Sequence, residues 1–288
     1  MKLKTKNTLT GFGLTLPLFA GCLIFYALPF GMVLWYSLVR GSGYSQTFAG
    51  WDNYALLFKS DVFRMALANT LGFLAVGLSL NLLIAYAVAL FLKNRVRKHR
   101  ALQSVILLPY VMPVVGTVLL VDMLFSSKGL GNSLLLALGL PLHDWLNSSA
   151  AFWVVILLYL WKNIGYSVIL LLSGLGAIPD EQYAAAALDG ANARQKFLYL
   201  TMPQMWYSVF FAGVFSLINA FKCFREIFLI GGTHPHESIY MLQHFINNCF
   251  TKLAYSKMAV SSILMAAAVT VVFVLCYRWV MRKEAYKE

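Results

Sequence analysis

The chain has 288 residues, 60% of them hydrophobic and only 12% charged, with a mean hydropathy of +0.71. Soluble domains carry about 25% charged residues, so the composition describes a polytopic membrane protein with little room for a soluble domain. The net charge of +12 does not point to nucleic acid, because the basic residues sit at the ends of apolar runs, where membrane proteins keep them.

A spanning helix takes about 20 apolar residues, and six stretches qualify: roughly 11–38, 68–92, 102–125, 150–174, 205–230 and 258–281. The first follows Lys2, Lys4 and Lys6. Its Leu18-Phe19-Ala20-Gly21-Cys22 has the look of a lipoprotein processing site. The apolar run nevertheless continues through Phe25, Leu28, Phe30 and Val33 to Leu38, longer than the apolar part of a signal. An uncleaved first span is therefore expected. Pro17 and Pro29 interrupt this stretch, and Pro109 and Pro113 interrupt the third; such breaks are tolerated where neighbouring helices or water satisfy the freed backbone.

After the second stretch come Lys93, Arg95, Arg97, Lys98 and Arg100 with no acid among them, and the C-terminus carries Arg282, Lys283 and Lys287. The opposite loops are longer and hold only Arg40, Lys59, Arg64, Lys128, Lys252 and Lys257. This asymmetry puts both termini on the cytoplasmic side, together with a segment holding Arg194 and Lys196. The four cysteines, Cys22, Cys223, Cys249 and Cys276, are far apart in sequence, so neither a CxxC motif nor a disulfide framework is expected.

That cytoplasmic segment, Tyr183 to Pro203, is too polar to span a bilayer and too patterned for a slack loop. Pro179 precedes Asp180 and Glu181, acids suited to the positive end of a helix dipole. Ala184 to Ala187 favour helix, Gly190 permits a turn that a Cβ would hinder, and a second helical stretch runs from Ala191 to Leu200. On pattern alone this is either an amphipathic connector lying on the membrane or an element presented to a partner.

The spacing resembles the cytoplasmic signature of permease subunits of binding-protein-dependent ABC importers. In that signature Glu-Ala-Ala is followed after three residues by Gly, and after nine more by Ile-x-Leu-Pro. Here Ala184-Ala185-Ala186, Gly190 and Leu200-Thr201-Met202-Pro203 occupy those places. Ile178-Pro179 and Leu188-Asp189-Gly190-Ala191 are similar to the carbohydrate branch. So are Phe48 to Tyr54, Asn69-Thr70, Leu108 to Pro113, Trp161 to Tyr166, and Gly231-Gly232 with Pro235, the last resembling the maltose-transporter first-subunit type.

The resemblance implies an all-α fold: six transmembrane helices, a type I importer permease core forming a single domain over residues 1–288, and a coupling-helix loop at about 180–203. It implies a second permease subunit, two ATPase subunits, an extracellular solute-binding protein and a carbohydrate substrate in a bacterial cytoplasmic membrane. It also implies that Glu181, Ala184, Ala185, Asp189, Gly190, Arg194 and Pro203 take part in ATPase coupling. One departure stands out: the signature Glu is Ala184. Glu181, three residues earlier on the same helix face, either substitutes for it or only caps the helix.

An ionisable residue within a span is a functional candidate. Lys162 lies near the middle of the fourth span and calls for a carboxylate or a cavity, with Asp122 and Glu226 as candidate partners. It either orients helices through such a pair or contacts substrate. Ser216 and Asn219 share a face of the fifth span, where polar groups line a cavity or bond across helices. By resemblance, such permeases line a central site from the third, fourth and fifth spans, which implicates Tyr110, Trp161, Lys162, Gly165, Ser216 and Asn219. Aromatic faces with Asn, Ser and Tyr suit a sugar, although Tyr and Trp in spans also simply pack.

Lys222, Arg225 and Glu226 form either a solvated helix end or a contact for the binding protein or an anionic substrate. His234 and His236 lack the companion donors of a metal site. No GxxxxGK[ST] phosphate loop occurs, so no cofactor is expected in this chain; ATP and Mg belong to partner ATPase subunits, and the chain is expected to be non-catalytic. The rivals are the same architecture for glycerol phosphate or an acidic sugar, an ion-coupled secondary transporter using Lys162 and Asp122, and an intramembrane enzyme.

Overall fold

Proline placement decides where the long helices loosen. The computed structural model describes residues 2–41, 46–96 and 100–284. Two helices contain a single wide turn, Leu23–Ala27 and Lys196–Thr201, and each such turn ends two residues before a proline, Pro29 or Pro203. Proline has no N–H and its ring crowds the carbonyl four residues back. The backbone responds with bonds spanning five residues: the Leu28 N–H donates to Leu23 O, and the Met202 N–H to Phe197 O.

The described chain divides into two units. The first, Met1–Arg64 with Phe245–Val269, begins with α1 (Lys2–Cys22), the wide turn and α2 (Leu28–Leu38). Two short strands follow, β1 (Val39–Arg40) and β2 (Thr47–Phe48), paired antiparallel with Val39 opposite Phe48. Then comes α3 (Asp52–Phe58). Buried Asn53 fastens α3 to the end of α2 by donating from Nδ2 to the carbonyls of Ser37 (3.0 Å) and Val39 (2.9 Å). The Tyr54 hydroxyl reaches Ser37 Oγ at 3.0 Å, and Ser256 Oγ donates to the same Val39 carbonyl at 2.9 Å.

The second unit, Met65–His244 with Thr270–Glu288, is built on α4 (Asp61–Val96), α5 (Arg100–Val111), α6 (Val114–Phe125), α7 (Leu130–Ala137) and α8 (Ala150–Gly176). The polar segment follows as α9 (Asp180–Leu188), α10 (Ala193–Gln195) and α11 (Met202–Gln204). It continues with α12 (Trp206–Lys222) and α13 (Phe224–Gly231), and the chain closes with α14 (Leu242–Thr251) and α15 (Tyr255–Glu284), each divided between the two units.

Lipid is as apolar as leucine, so helices within a membrane are held by close packing and polar bonds rather than by the hydrophobic effect. Both devices are present. At Gly165 of α8 a Cβ would overlap the backbone carbonyl of Ile106 in α5, and at Gly174 it would overlap Ser208 Oγ in α12. Three helices are tied by a buried knot. Asn81 of α4 donates from Nδ2 to Ser167 Oγ in α8 and to Ser216 Oγ in α12, each at 2.8 Å. The Tyr159 hydroxyl adds a bond to the Ser216 carbonyl at 2.8 Å. Apolar layers sit on either side, with Phe73, Ile156 and Ile227 in one and Ala85, Leu171 and Met205 in the other.

Among the described residues, six segments are long and apolar enough to cross a membrane: Gly13–Leu38, Asp61–Lys93, Val114–Ala137, Ala150–Gly176, Trp206–Gly231 and Tyr255–Val280. Five agree with the stretches expected from sequence. The third differs. Its expected range, 102–125, is broken between α5 and α6 because Pro113 is extended (φ −59°, ψ 147°) and Met112 before it leaves the helix. Pro109, by contrast, lies inside α5. Of the basic residues used for orientation, Arg97, Lys98 and Lys287 lie outside the described residues, as do the side chains of Lys2, Lys4, Lys6, Arg95, Arg100 and Lys283.

Candidate substrate cavity and coupling loop

Two helix breaks open onto one cavity of about 280 Å³. One is the α5–α6 break, which contributes Met112, Pro113 and Val114; the other is the α12–α13 break at Cys223, flanked by Asn219, Lys222, Arg225 and Glu226. Tyr110 of α5 and Lys162 of α8 complete the wall. Discontinuous helices place backbone groups and helix ends against a cavity, which is how membrane transporters make polar sites in an apolar surrounding.

The charges are arranged unevenly. Lys162 Nζ lies 2.5 Å from Glu226 Oε1, and both side chains are largely buried. Of the two acids expected as partners for Lys162, the structure joins it to Glu226, while Asp122 stays exposed. Lys222 and Arg225 line the same cavity and are exposed. The second carboxylate oxygen of Glu226 is buried and has no hydrogen-bond partner among the described residues. Asn163, which sequence reasoning did not single out, also lines the cavity and is anchored by its Nδ2 on the Tyr159 carbonyl at 2.8 Å.

Of the six residues expected along a transport path, the structure brings Tyr110, Lys162 and Asn219 together on this wall. The Tyr110 ring is held by stacking on Tyr166, with centroids 4.8 Å apart. The other three lie elsewhere. Trp161 is 37% exposed and does not line the cavity. Gly165 is the contact point with Ile106, and the Ser216 side chain is consumed in the knot with Asn81. For Ser216 the second sequence reading, bonding across helices, describes its placement. The histidines hold backbone: His236 Nδ1 accepts from the Ser238 N–H, and His244 Nδ1 accepts from the Met241 N–H, both at 3.2 Å.

The polar segment folds as helix, glycine turn and helix. Gly190 has φ +78°, in the left-handed region that favours glycine. Its N–H donates to Ala187 O and that of Ala191 to Ala186 O, the bond pair of a Schellman ending. Asn192 and Gln195 then form a reciprocal capping box at 2.8 and 2.9 Å that starts α10. The two arms are joined by the Tyr183 hydroxyl on Thr201 Oγ1 (2.9 Å) and by Gln204 Nε2 on Gln182 Oε1 (2.7 Å). Lys93 of α4 sits 3.9 Å over the Tyr183 ring. Glu181, Ala184, Ala185, Asp189, Gly190 and Arg194 are all exposed, and Pro203 is half-buried behind the wide turn. Sequence reasoning passed over two large apolar groups here: Leu188 is 90% exposed and Tyr199 79%.

Among the described residues, six apolar segments long enough to cross a membrane, a polar cavity lined from α5, α6, α8, α12 and α13, and a structured polar loop between the fourth and fifth segments define a multi-pass membrane transport component. Residues 81–283 match the family described as the binding-protein-dependent transport system inner membrane component, and the chain belongs to that family. It is a permease subunit of an ABC importer and a multi-pass protein of the cytoplasmic membrane. It is 31% identical to the sn-glycerol-3-phosphate transport system permease protein UgpA of Yersinia pestis over 95% of each chain. It is 29% identical to the trehalose/maltose transport system permease protein MalF of Thermococcus litoralis over 81% of each. A chain of a bacterial ABC transporter involved in the import of the acidic polysaccharide alginate has the same fold, with TM-score 0.81 and 22% identity over 98% of this chain and 99% of that one.

Proposed function

We propose that residues 1–288 act as one permease domain that passes a carbohydrate through the cavity between the two helix breaks. The observation that carries this is the wall itself. A tyrosine, an asparagine and a glutamate paired with a lysine stand together where α5 and α12 are interrupted. Sugars are recognised by this combination, an aromatic face for the C–H surface and fixed polar groups for hydroxyls. The relatives named for trehalose/maltose and glycerol phosphate support a polyhydroxylated substrate.

The chain itself carries no catalytic group in this reading, and ATP with Mg is bound and hydrolysed on two partner ATPase subunits. The loop from Asp180 to Pro203 docks on an ATPase from the cytoplasmic side, where both termini also lie. Glu181, Ala184, Ala185, Asp189, Gly190 and Arg194 present the docking face, with Glu181 taking up part of the role of the carboxylate absent at Ala184. A second permease subunit faces this one across the translocation path, and an extracellular binding protein delivers the substrate.

Co-purification and reconstitution test the proposal together. Tagged protein is expected to bring down an ATPase and a second permease, and saccharide uptake into proteoliposomes should need all of them plus ATP. Uptake by this chain alone, driven by an ion gradient, would overturn it. Glu181→Ala that leaves substrate-coupled ATP hydrolysis unchanged would remove Glu181 from the docking role.

A further inference from the structure

The charge on the cavity wall narrows the substrate class. Three cations and one acid line it: Lys162, Lys222, Arg225 and Glu226. Lys162 is already neutralised, because its ammonium is paired with Glu226 Oε1 at 2.5 Å. Lys222 and Arg225, one turn apart across the α12–α13 break, therefore leave the cavity net positive. Beside them is the start of α6, whose Val114 lines the cavity and whose N-cap, Pro113, supplies no side-chain cap. The first turn of a helix has backbone N–H groups without intrahelical acceptors and carries the positive end of the dipole. Cations in a cleft with low-dielectric walls concentrate anions.

A second observation points to what else the ligand must carry. Glu226 is 5% exposed, and its Oε2 is buried without a partner among the described residues. A carboxylate oxygen is an acceptor only, and leaving it unbonded is costly. Glu226 lines the cavity beside Asn219, and what a carboxylate accepts from a ligand there is a donor such as a sugar hydroxyl, not another anion. The wall thus holds an anion region and, one residue further along α13, a hydroxyl region.

We propose that the cavity takes an acidic carbohydrate, with Lys222, Arg225 and the first turn of α6 holding its oxyanion while Glu226, Asn219 and Tyr110 engage the hydroxylated ring. The proposal rests on the carbohydrate reading above and deepens it. Carboxylate and phosphate share this oxyanion chemistry.

The test uses the assembled transporter, this chain with its partner permease and ATPases, solubilised without binding protein. Binding is measured by saturation-transfer NMR with three probes: digalacturonate, the neutral digalactose of the same linkage, and glucose 6-phosphate. Digalacturonate is expected to bind more tightly than digalactose, and the preference should shrink as salt is raised. In Lys222→Gln/Arg225→Gln the acidic-over-neutral ratio should fall by about tenfold or more, the loss expected when charge-assisted hydrogen bonds go. Thermal melting checks that the variant complex is folded. The glucose 6-phosphate arm separates a phosphate from a carboxylate preference.

Equal binding of the acidic and neutral probes, or an unchanged ratio in the double variant, would overturn this proposal and leave the carbohydrate reading standing. That outcome would assign Lys222 and Arg225 to docking of the binding protein. Binding of none of the three probes would overturn both.

Discussion

The ammonium of Lys162 in α8 and the carboxylate of Glu226 in α13 meet at 2.5 Å on the wall of the cavity. Each group alone would be an uncompensated charge within the span region, and removing one partner of a buried pair strands the other. The pair is therefore a structural condition for the cavity as much as a feature of it.

Lys162→Met and Glu226→Gln are each expected to destabilise the purified complex, by about 3 kcal/mol. The double variant should be markedly less destabilised than the sum of the two. A coupling energy of roughly 1–3 kcal/mol in a double-mutant cycle, read from thermal melting in detergent, is the expected outcome. Additive losses would mean that the pair does not act as a unit.

Gly165 lets α8 touch the backbone of α5 at Ile106. Gly165→Ala must push the helices apart, and the obstruction is a carbonyl rather than a flexible side chain. A loss of about 1–3 kcal/mol in stability is expected. Gly72, which has open space around its missing Cβ, is the control. Gly72→Ala should be neutral or slightly stabilising by the same melting assay, because alanine favours helix.

Gly190 ends α9 with a positive φ that a β-branched residue adopts only with strain. Gly190→Val is expected to distort the turn between α9 and α10 while leaving the spans intact. Its readout is a fall in substrate-stimulated ATP hydrolysis of the assembled transporter, with membrane insertion and melting temperature close to those of the parent. If stimulated hydrolysis is unaffected, the turn does not transmit coupling.

His244 is fully buried beside Phe224 and Tyr240. Burial first, and then the nearby His234, push its pKa down from the ordinary 6.5 to about 4. Between those two values the unfolded chain binds the proton that the folded chain excludes. Stability from this group is therefore complete above pH 6.5 and is lost as pH falls toward 4. His244 stands where the third residue of a capping box stands, accepting from the Met241 N–H, so Gln keeps the acceptor without titrating. His244→Gln should match the parent near pH 7.5 and lose less stability at pH 5, as judged by melting temperature across that range.

Much of the molecule was readable along the chain. Apolar runs near the length of a bilayer marked the spans, since a helix there must satisfy its own backbone bonds. The spacing from Ala184 through Gly190 to Pro203 marked the structured loop, because a helix stop, a left-handed glycine and a proline are local properties. The wide turns before Pro29 and Pro203 are equally local, although only the structure located them. The third stretch is helical as α5 and α6 but broken between them, because two prolines lay in one run and their spacing does not say which of them ends a helix.

Side-chain placement was not readable in that way. Ser216 and Asn219 are three residues apart on one helix, yet one is bonded into the knot with Asn81 and the other lines the cavity. Lys162 had two candidate acids, and packing of α8 against its neighbours selected Glu226 over Asp122. Helical periodicity gives the angle of a residue around its own axis, so the chain alone determined which residues share a face and that the helices belong in a membrane. Which neighbour each face meets depends on contacts between residues far apart in sequence, and only the packed structure decided them.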